Sequence, residues 1–178
     1  GGVSQLTAIY LDGSRGNINF DNSISFTLTY LNGVLYNEAG TNTIAGNISL
    51  SYGGGNCYII SKAGFLTISG NVASDGIANG RNFQLGGAGN GLFSGVASDN
   101  AQTLGSLTKV DAGTWTVSGD STTVGTLNAN AGKLILTGQW AGGPAVVNSG
   151  GTLAGSGLVS NLTVNAGGKF VPGDYGVI

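Results

Sequence analysis

The chain has 178 residues, 35 of them glycine, with 8% charged residues and a formal net charge of −2 at pH 7. The few scattered basic residues exclude the positive surface that nucleic-acid partners require. The absence of histidine beside a single cysteine excludes imidazole and multi-thiolate metal centres. No apolar run is long enough for a membrane-spanning helix, and no cofactor is expected.

The composition favours β-structure over both helix and disorder. Glycine, asparagine, serine and threonine dominate the chain, and these residues disfavour helix interiors. Disordered chains combine low hydrophobicity with high charge, whereas 40% of this chain is hydrophobic. We therefore predict an all-β protein with almost no helix.

Short strands are predicted along the chain wherever apolar and polar residues alternate. The alternating segments are residues 24–30, 48–52, 66–68 and 115–117. Cys57 is predicted to be a small buried residue of the core, with cross-linking to another chain as the alternative. The glycine-rich segment 86–91 is the best candidate for an irregular surface loop.

From residue 104 onward the chain is periodic. A unit of small residues, glycine, one polar residue and one large apolar residue recurs four times. Its apolar members are separated by 19, 19 and 17 residues, and they are Trp115, Leu134, Leu153 and Phe170. A period near 19 is too short for a propeller blade, but it fits three strands and three turns, which form one coil of a parallel β-helix.

In a parallel β-helix each strand pairs with its counterpart in the next coil, so equivalent residues stack. We predict one β-helical segment over residues 1–178 with about nine coils. Residues 1–103 are expected to form less regular coils, and residues 104–178 regular repeats of about 19 residues. The four apolar repeat positions should form a stacked core, with glycine and asparagine at the corners.

Two runs of the second half resemble the autotransporter-associated β-strand repeat of bacterial surface proteins. They read Gly150-Gly151-Thr152-Leu153-Ala154-Gly155-Ser156-Gly157 and Leu162-Thr163-Val164-Asn165-Ala166-Gly167-Gly168-Lys169-Phe170-Val171-Pro172-Gly173. The similarity covers residues 104–174 well and 44–72 loosely, although Lys109-Val110-Asp111-Ala112-Gly113 departs from the family's usual K-x-G-x-G. The resemblance implies a right-handed parallel β-helix displayed outside the cell, as a scaffold that carries different functions.

No pattern in the chain indicates catalysis. β-helical lyases and hydrolases need clustered carboxylates, but no two acidic residues here lie closer than nine positions in sequence. Stacking of coils could align only Asp99, Asp111 and Asp120, and we expect these to be solvated turn residues. The protein is therefore predicted not to be an enzyme.

Ligand binding to a β-helix surface would use exposed aromatic residues. Trp140 lies between coils in a glycine-rich segment and is the weak candidate for stacking on a sugar; the alternative is that it covers the core. Residues 86–93 lack the carboxylate of a calcium-binding β-roll repeat. Thr-x-Thr pairs do not recur at the coil period, which argues against an ice-binding face.

Neither end of the sequence resembles a cap, and the first residues contain neither an initiator methionine nor a signal region, so we expect a processed or excerpted segment. Open β-helix ends recruit further strands. The sequence therefore predicts a non-enzymatic building block of a bacterial extracellular filament, sheath or surface fibre, which self-associates through its ends. The alternative is an adhesin-type passenger rod that binds glycans or a host surface.

Overall fold

The computed structural model describes residues 8–29, 34–51, 56–74, 81–99 and 104–173. Within these ranges all regular structure is β, in 22 strands, and no helix is found. The all-β prediction is confirmed. Parts of three predicted segments lie outside the described residues, namely Tyr30, Tyr52 and residues 174–178.

The strands form four sheets. Sheet A contains β1 (Ala8–Asp12), β4 (Val34–Ala39), β7 (Asn56–Ser61), β10 (Arg81–Gly86), β13 (Leu104–Lys109), β15 (Thr126–Ala129), β18 (Ala145–Val147) and β21 (Leu162–Val164). Sheet B contains β2 (Asn19–Phe20), β5 (Thr41–Ile44), β8 (Phe65–Ile68), β11 (Asn90–Phe93), β14 (Thr114–Val117), β16 (Gly132–Leu136), β19 (Gly151–Gly155) and β22 (Lys169–Pro172). Sheet C contains β3 (Phe26–Thr29), β6 (Ile48–Ser51), β9 (Val72–Ser74) and β12 (Ala97–Ser98), and sheet D contains β17 (Gln139–Trp140) and β20 (Leu158–Val159).

The chain visits the sheets in rotation, which makes the fold a parallel β-helix. A strand of sheet A is followed by one of sheet B and, in the first half, by one of sheet C, before the chain returns to sheet A. All strand pairs within the described residues are parallel, and each joins equivalent strands of successive coils. The predicted architecture is confirmed, with eight strands stacked in each of the two long sheets.

The coils become shorter along the chain. Thr41 pairs with Phe65, 24 residues further on, whereas Trp115 pairs with Leu134 at the predicted spacing of 19. The last described coil is shorter still, because Leu153 pairs with Phe170 after 17 residues. Long early coils use more chain, so the described part contains eight coils where a uniform 19-residue period predicted about nine.

Glycine forms the corners between sheets A and B. Gly64 has a φ of 74°, and a Cβ at this position would collide with the carbonyl oxygen of Gly40 in the coil below. Only glycine combines this backbone conformation with such a close approach of two coils. Gly87 forms the same corner in the next coil, so residues 86–91 form a tight, largely buried corner rather than the predicted irregular surface loop.

The core lies inside the coils because alternate residues of each strand face inward. Large and small residues complement each other along the axis of the β-helix. Gly91 pairs with Trp115 in sheet B, and a Cβ on Gly91 would lie 2.5 Å from the indole ring. The fully buried indole also donates a hydrogen bond from Nε1 to the carbonyl of Gly86 at 3.1 Å. The missing side chain at residue 91 therefore makes the space that the indole fills.

Candidate functional site

The four apolar repeat positions lie directly above one another in sheet B. Trp115 pairs with Leu134, Leu134 with Leu153, and Leu153 with Phe170. The first three side chains are buried, at 0%, 0% and 3% exposure, but Phe170 is 45% exposed. Phe170 therefore differs from the predicted buried core position, because no described coil lies above it.

Sheet A ends in the same way as sheet B. Val164 of β21 pairs with Val147 of β18, which is fully buried, yet Val164 is 45% exposed. Val159, in the last strand of sheet D, pairs with the fully buried Trp140 and packs against the core in a half-buried position. We call the surface formed by Val159, Val164 and Phe170 the open end. It is an apolar layer that would be core if another coil covered it.

An asparagine ladder runs along the side of the β-helix towards the open end. Asn148 Nδ2 donates to Asn130 Oδ1, and Asn165 Nδ2 donates to Asn148 Oδ1, each at 2.7 Å. Asn148 thus donates to the coil below and accepts from the coil above. The ladder links three successive coils and helps to fix their register.

Trp140 does not form a sugar-binding surface, and its candidacy as a ligand-stacking residue is wrong. Its side chain is fully buried, and its Nε1 donates a hydrogen bond to the carbonyl of Gly125 at 2.7 Å. It belongs to β17 and forms a parallel bridge with Ser121 in the preceding coil. The indole therefore covers the core, as the alternative interpretation held.

The three carboxylates that stacking might have aligned serve separate turns. Asp99 accepts hydrogen bonds from the Thr123 hydroxyl at 2.6 Å and from the Val124 amide at 3.0 Å. Partial burial tends to raise the pKa of Asp99, but these bonds and one from the Leu104 amide outweigh it and lower the pKa. Asp111 accepts a hydrogen bond from the Gly87 amide and Asp120 accepts one from the Gln139 amide, each from an adjacent coil.

Lys109 is a fully buried lysine that sequence reasoning did not single out as buried. Its Nζ donates to the carbonyl oxygens of Val110, Asp111 and Ala131, so it holds the corner after β13 against the coil above. Burial lowers the pKa of Lys109 to about 8, against the opposing attraction of Asp111. The alternation of inward and outward residues does not predict the burial of Lys109, because this residue lies at the end of β13.

Cys57 is 1% exposed, which confirms the prediction of burial. Its thiol lies 3.8 Å from the carbonyl oxygen of Leu28 in the preceding coil. A bulky partner chain has no access to a thiol in this position. The structure therefore favours the core interpretation of Cys57 over cross-linking.

An aromatic pair lies on the outer face of sheet A near the first coils. Tyr10 is 61% exposed and stacks on Tyr36 with ring centroids 5.1 Å apart. The Lys62 ammonium lies 4.2 Å from the Tyr36 centroid and 2.7 Å from the Glu38 carboxylate. The hydrogen bond to Glu38 raises the pKa of Lys62. The lysine charge is thus shared between an acid and an aromatic face.

A groove with a volume of about 380 Å³ lies over sheet C. Its floor contains the stacked outward residues Thr27, Ser49, Ala73 and Ser98, and the amide side chains of Asn47 and Asn71 line one side. No charged residue lines this groove among the described residues. Its polar groups are neutral hydroxyls and amides, and Phe26, Ile48 and Ala73 contribute apolar surface.

The described residues contain no group of three or more His, Cys, Asp and Glu side chains that could hold a metal ion. They also contain no helix with the length and hydrophobicity to span a membrane. Comparison of the chain with family models, with curated proteins and with solved structures found no match.

Proposed function

We propose that this chain is a non-enzymatic structural protein, a building block of a bacterial extracellular filament, sheath or surface fibre that assembles through the open end of its β-helix. The supporting observation is the contrast between the last two described coils. Val164 and Phe170 are each 45% exposed, whereas the residues that they pair with, Val147 and Leu153, are 0% and 3% exposed.

Two features of the open end favour association with another chain, namely an uncovered core layer and an unpaired sheet edge. Strands β21 and β22 are the last members of sheets A and B, and their outer backbone groups have no strand to pair with among the described residues. Such edges are templates for another chain. A contact between two different ends of one molecule does not close on itself, so it propagates as a fibre.

The charge of the molecule favours the same proposal. A net charge of −2 over 178 residues gives little repulsion between neighbouring copies. The carboxylates that catalysis would need are engaged in the corners of the coils. The extracellular location and the place in the autotransporter-repeat family follow only from the resemblance of residues 104–174, and they are part of the proposal.

The test compares two exposed valines, of which one lies on the open end. The purified chain is examined by light scattering over a range of concentrations and by electron microscopy. Val164→Asp places a charge on the open end, whereas Val124→Asp places it in a turn where the valine is 56% exposed. We expect filaments from the parent chain and from Val124→Asp, and at least a tenfold higher assembly concentration for Val164→Asp.

Dispersed rods of the parent chain at all concentrations would refute assembly through the open end. Equal effects of the two valine substitutions would refute it as well, because the open end would then have no special part in association. A fold check by circular dichroism accompanies each variant. The signal of parallel β-structure should be the same in all three proteins.

The groove over sheet C supports the second candidate function, an adhesin rod that binds neutral glycans. Its hydroxyl and amide lining matches the chemistry of uncharged sugars, and its volume lies in the range of ligand sites. The test measures binding of neutral oligosaccharides to Ser49→Trp, which fills the groove, and to Thr67→Trp, which lies outward on sheet B. Loss of binding in the first variant alone would support this function, and absence of binding in the parent chain would contradict it.

A further inference from the structure

Arg81 is a buried arginine on the inward face of sheet A. It is the first residue of β10, and the alternation of this strand places it on the same side as Phe83 and Leu85. The side chain is only 1% exposed. Its Cα partner in the next coil, Leu104, is also fully buried.

The guanidinium of Arg81 has two unused donors. Neither Nε nor Nη2 has a hydrogen-bond partner among the residues that the structure describes. Arginine stays protonated in proteins, so the side chain cannot lose its charge to escape the cost of burial. Nε–H and one N–H of Nη2 point from the same edge of the planar group, which is the edge that binds a carboxylate through two parallel hydrogen bonds.

The acidic residues of the described chain are all engaged elsewhere. They form pairs with residues other than Arg81, and these pairs are Asp12–Ser14, Asp21–Ser23, Glu38–Lys62, Asp99–Thr123, Asp111–Gly87 and Asp120–Gln139. Within the described ranges, no carboxylate neutralises the buried charge. Buried unsatisfied groups of this kind mark the place of a bound ion or water, and a full positive charge requires an anion.

We propose that Arg81 is the binding site of a small planar oxyanion, a free carboxylate such as formate or acetate, held by Nε and Nη2 inside the β-helix. A planar carboxylate satisfies both free donors at once and neutralises the charge, which a water molecule does not do. The anion would stabilise the fourth coil in the way that a structural ion does, by binding the folded state alone.

The experiment follows thermal unfolding of the full chain as formate replaces chloride at constant ionic strength. The chain has one other arginine, Arg15, which is exposed and provides the matched control. We expect a saturable rise in Tm of roughly 5–10 °C at a hundredfold excess of formate over its Kd for the parent chain and for Arg15→Met. Arg81→Met should show no rise.

A second readout uses the same variants without formate. Arg81→Met should then unfold at a higher temperature than the parent chain, because an apolar side chain replaces an unpaired buried charge. A parent chain that gives no saturable response to formate would overturn the proposal. A formate response that persists in Arg81→Met would overturn it too.

Asp75 is another source of a carboxylate, because it lies six residues before Arg81 in sequence and outside the described residues. The variant Asp75→Asn distinguishes the two sources. An unchanged response of this variant to formate supports a free anion. The opposite result is a parent chain without a formate response and an Asp75→Asn variant that is less stable and responds to formate. This result would show that the protein's own carboxylate occupies the site, and the proposal of a free anion would fail.

Discussion

The pairing of Gly91 with Trp115 predicts a strong coupling between two substitutions. In Gly91→Ala the new Cβ would lie within 2.5–2.6 Å of three atoms of the indole ring, so the ring or the backbone has to move. The ring is fully buried and held by its hydrogen bond to Gly86, which leaves it little freedom. Overpacking of this kind costs about 1–3 kcal/mol of unfolding free energy.

The same substitution should behave differently when the ring is absent. Trp115→Leu leaves space above Gly91 and costs about 2–4 kcal/mol by itself, through lost packing and a lost hydrogen bond. In this background alanine no longer collides, and it should stabilise strand β11 by about 0.5 kcal/mol relative to glycine. The coupling energy of the two substitutions is then about 2 kcal/mol.

Urea denaturation followed by far-ultraviolet circular dichroism measures all four proteins of this double-mutant cycle. This signal is suitable because it does not depend on the tryptophan that is replaced. An equal cost of Gly91→Ala with and without Trp115 would refute the reasoning, since the penalty would then come from the backbone of residue 91. The absence of any penalty would show that the core relaxes around the new methyl group.

Two further predictions concern the corner after β13. Asp111 has a φ of 63° and accepts a hydrogen bond from the Gly87 amide. Asp111→Ala should cost about 1–2 kcal/mol more unfolding free energy than Asp111→Gly, because only glycine relieves the backbone strain. Urea denaturation measures both costs, and equal costs would contradict this prediction. Lys109 has a pKa of about 8 in the folded protein, against 10.5 for an unperturbed lysine. Between these two pH values the unfolded chain binds more protons than the folded one, so the free energy of unfolding should rise with pH. We expect a rise of about 1–2 kcal/mol relative to Lys109→Met. Unfolding free energies of both proteins at pH 7.5 and pH 10 measure the effect, and a parallel pH dependence would refute it.

The sequence predicted the architecture because stacking leaves a visible period in the second half. Leu134 and Leu153 follow the same glycine-rich phrase, and the structure pairs them directly. The 24-residue period of the first half is harder to recognise in the sequence, although a signal is present. Asn47 and Asn71 each follow a glycine and precede a strand of sheet C, 24 residues apart, and Asn47 accepts a hydrogen bond from the Asn71 amide.

The polar interior was much harder to predict than the coils. Arg81 and Lys109 are charged, and charged residues are almost never fully buried unless they are paired. The alternation with Phe83 and Leu85 implies that Arg81 faces inward, but its positive charge argues for a position on the surface. The exposure of Phe170 could not be predicted either, because burial depends on whether a neighbouring coil covers the residue, and the local pattern is the same in both cases.

The shortening of the coils gives the rod a taper, since a turn of 24 residues encloses a wider cross-section than a turn of 17. In a filament of the proposed kind, the narrow end of one copy would meet the wide end of the next. Sheets A and B can continue through such a junction. The third side of the β-helix cannot, because it is formed by sheet C at the wide end and by sheet D at the narrow end. Each junction would therefore carry a notch, and the notches would recur along the fibre as an axial periodicity visible in diffraction.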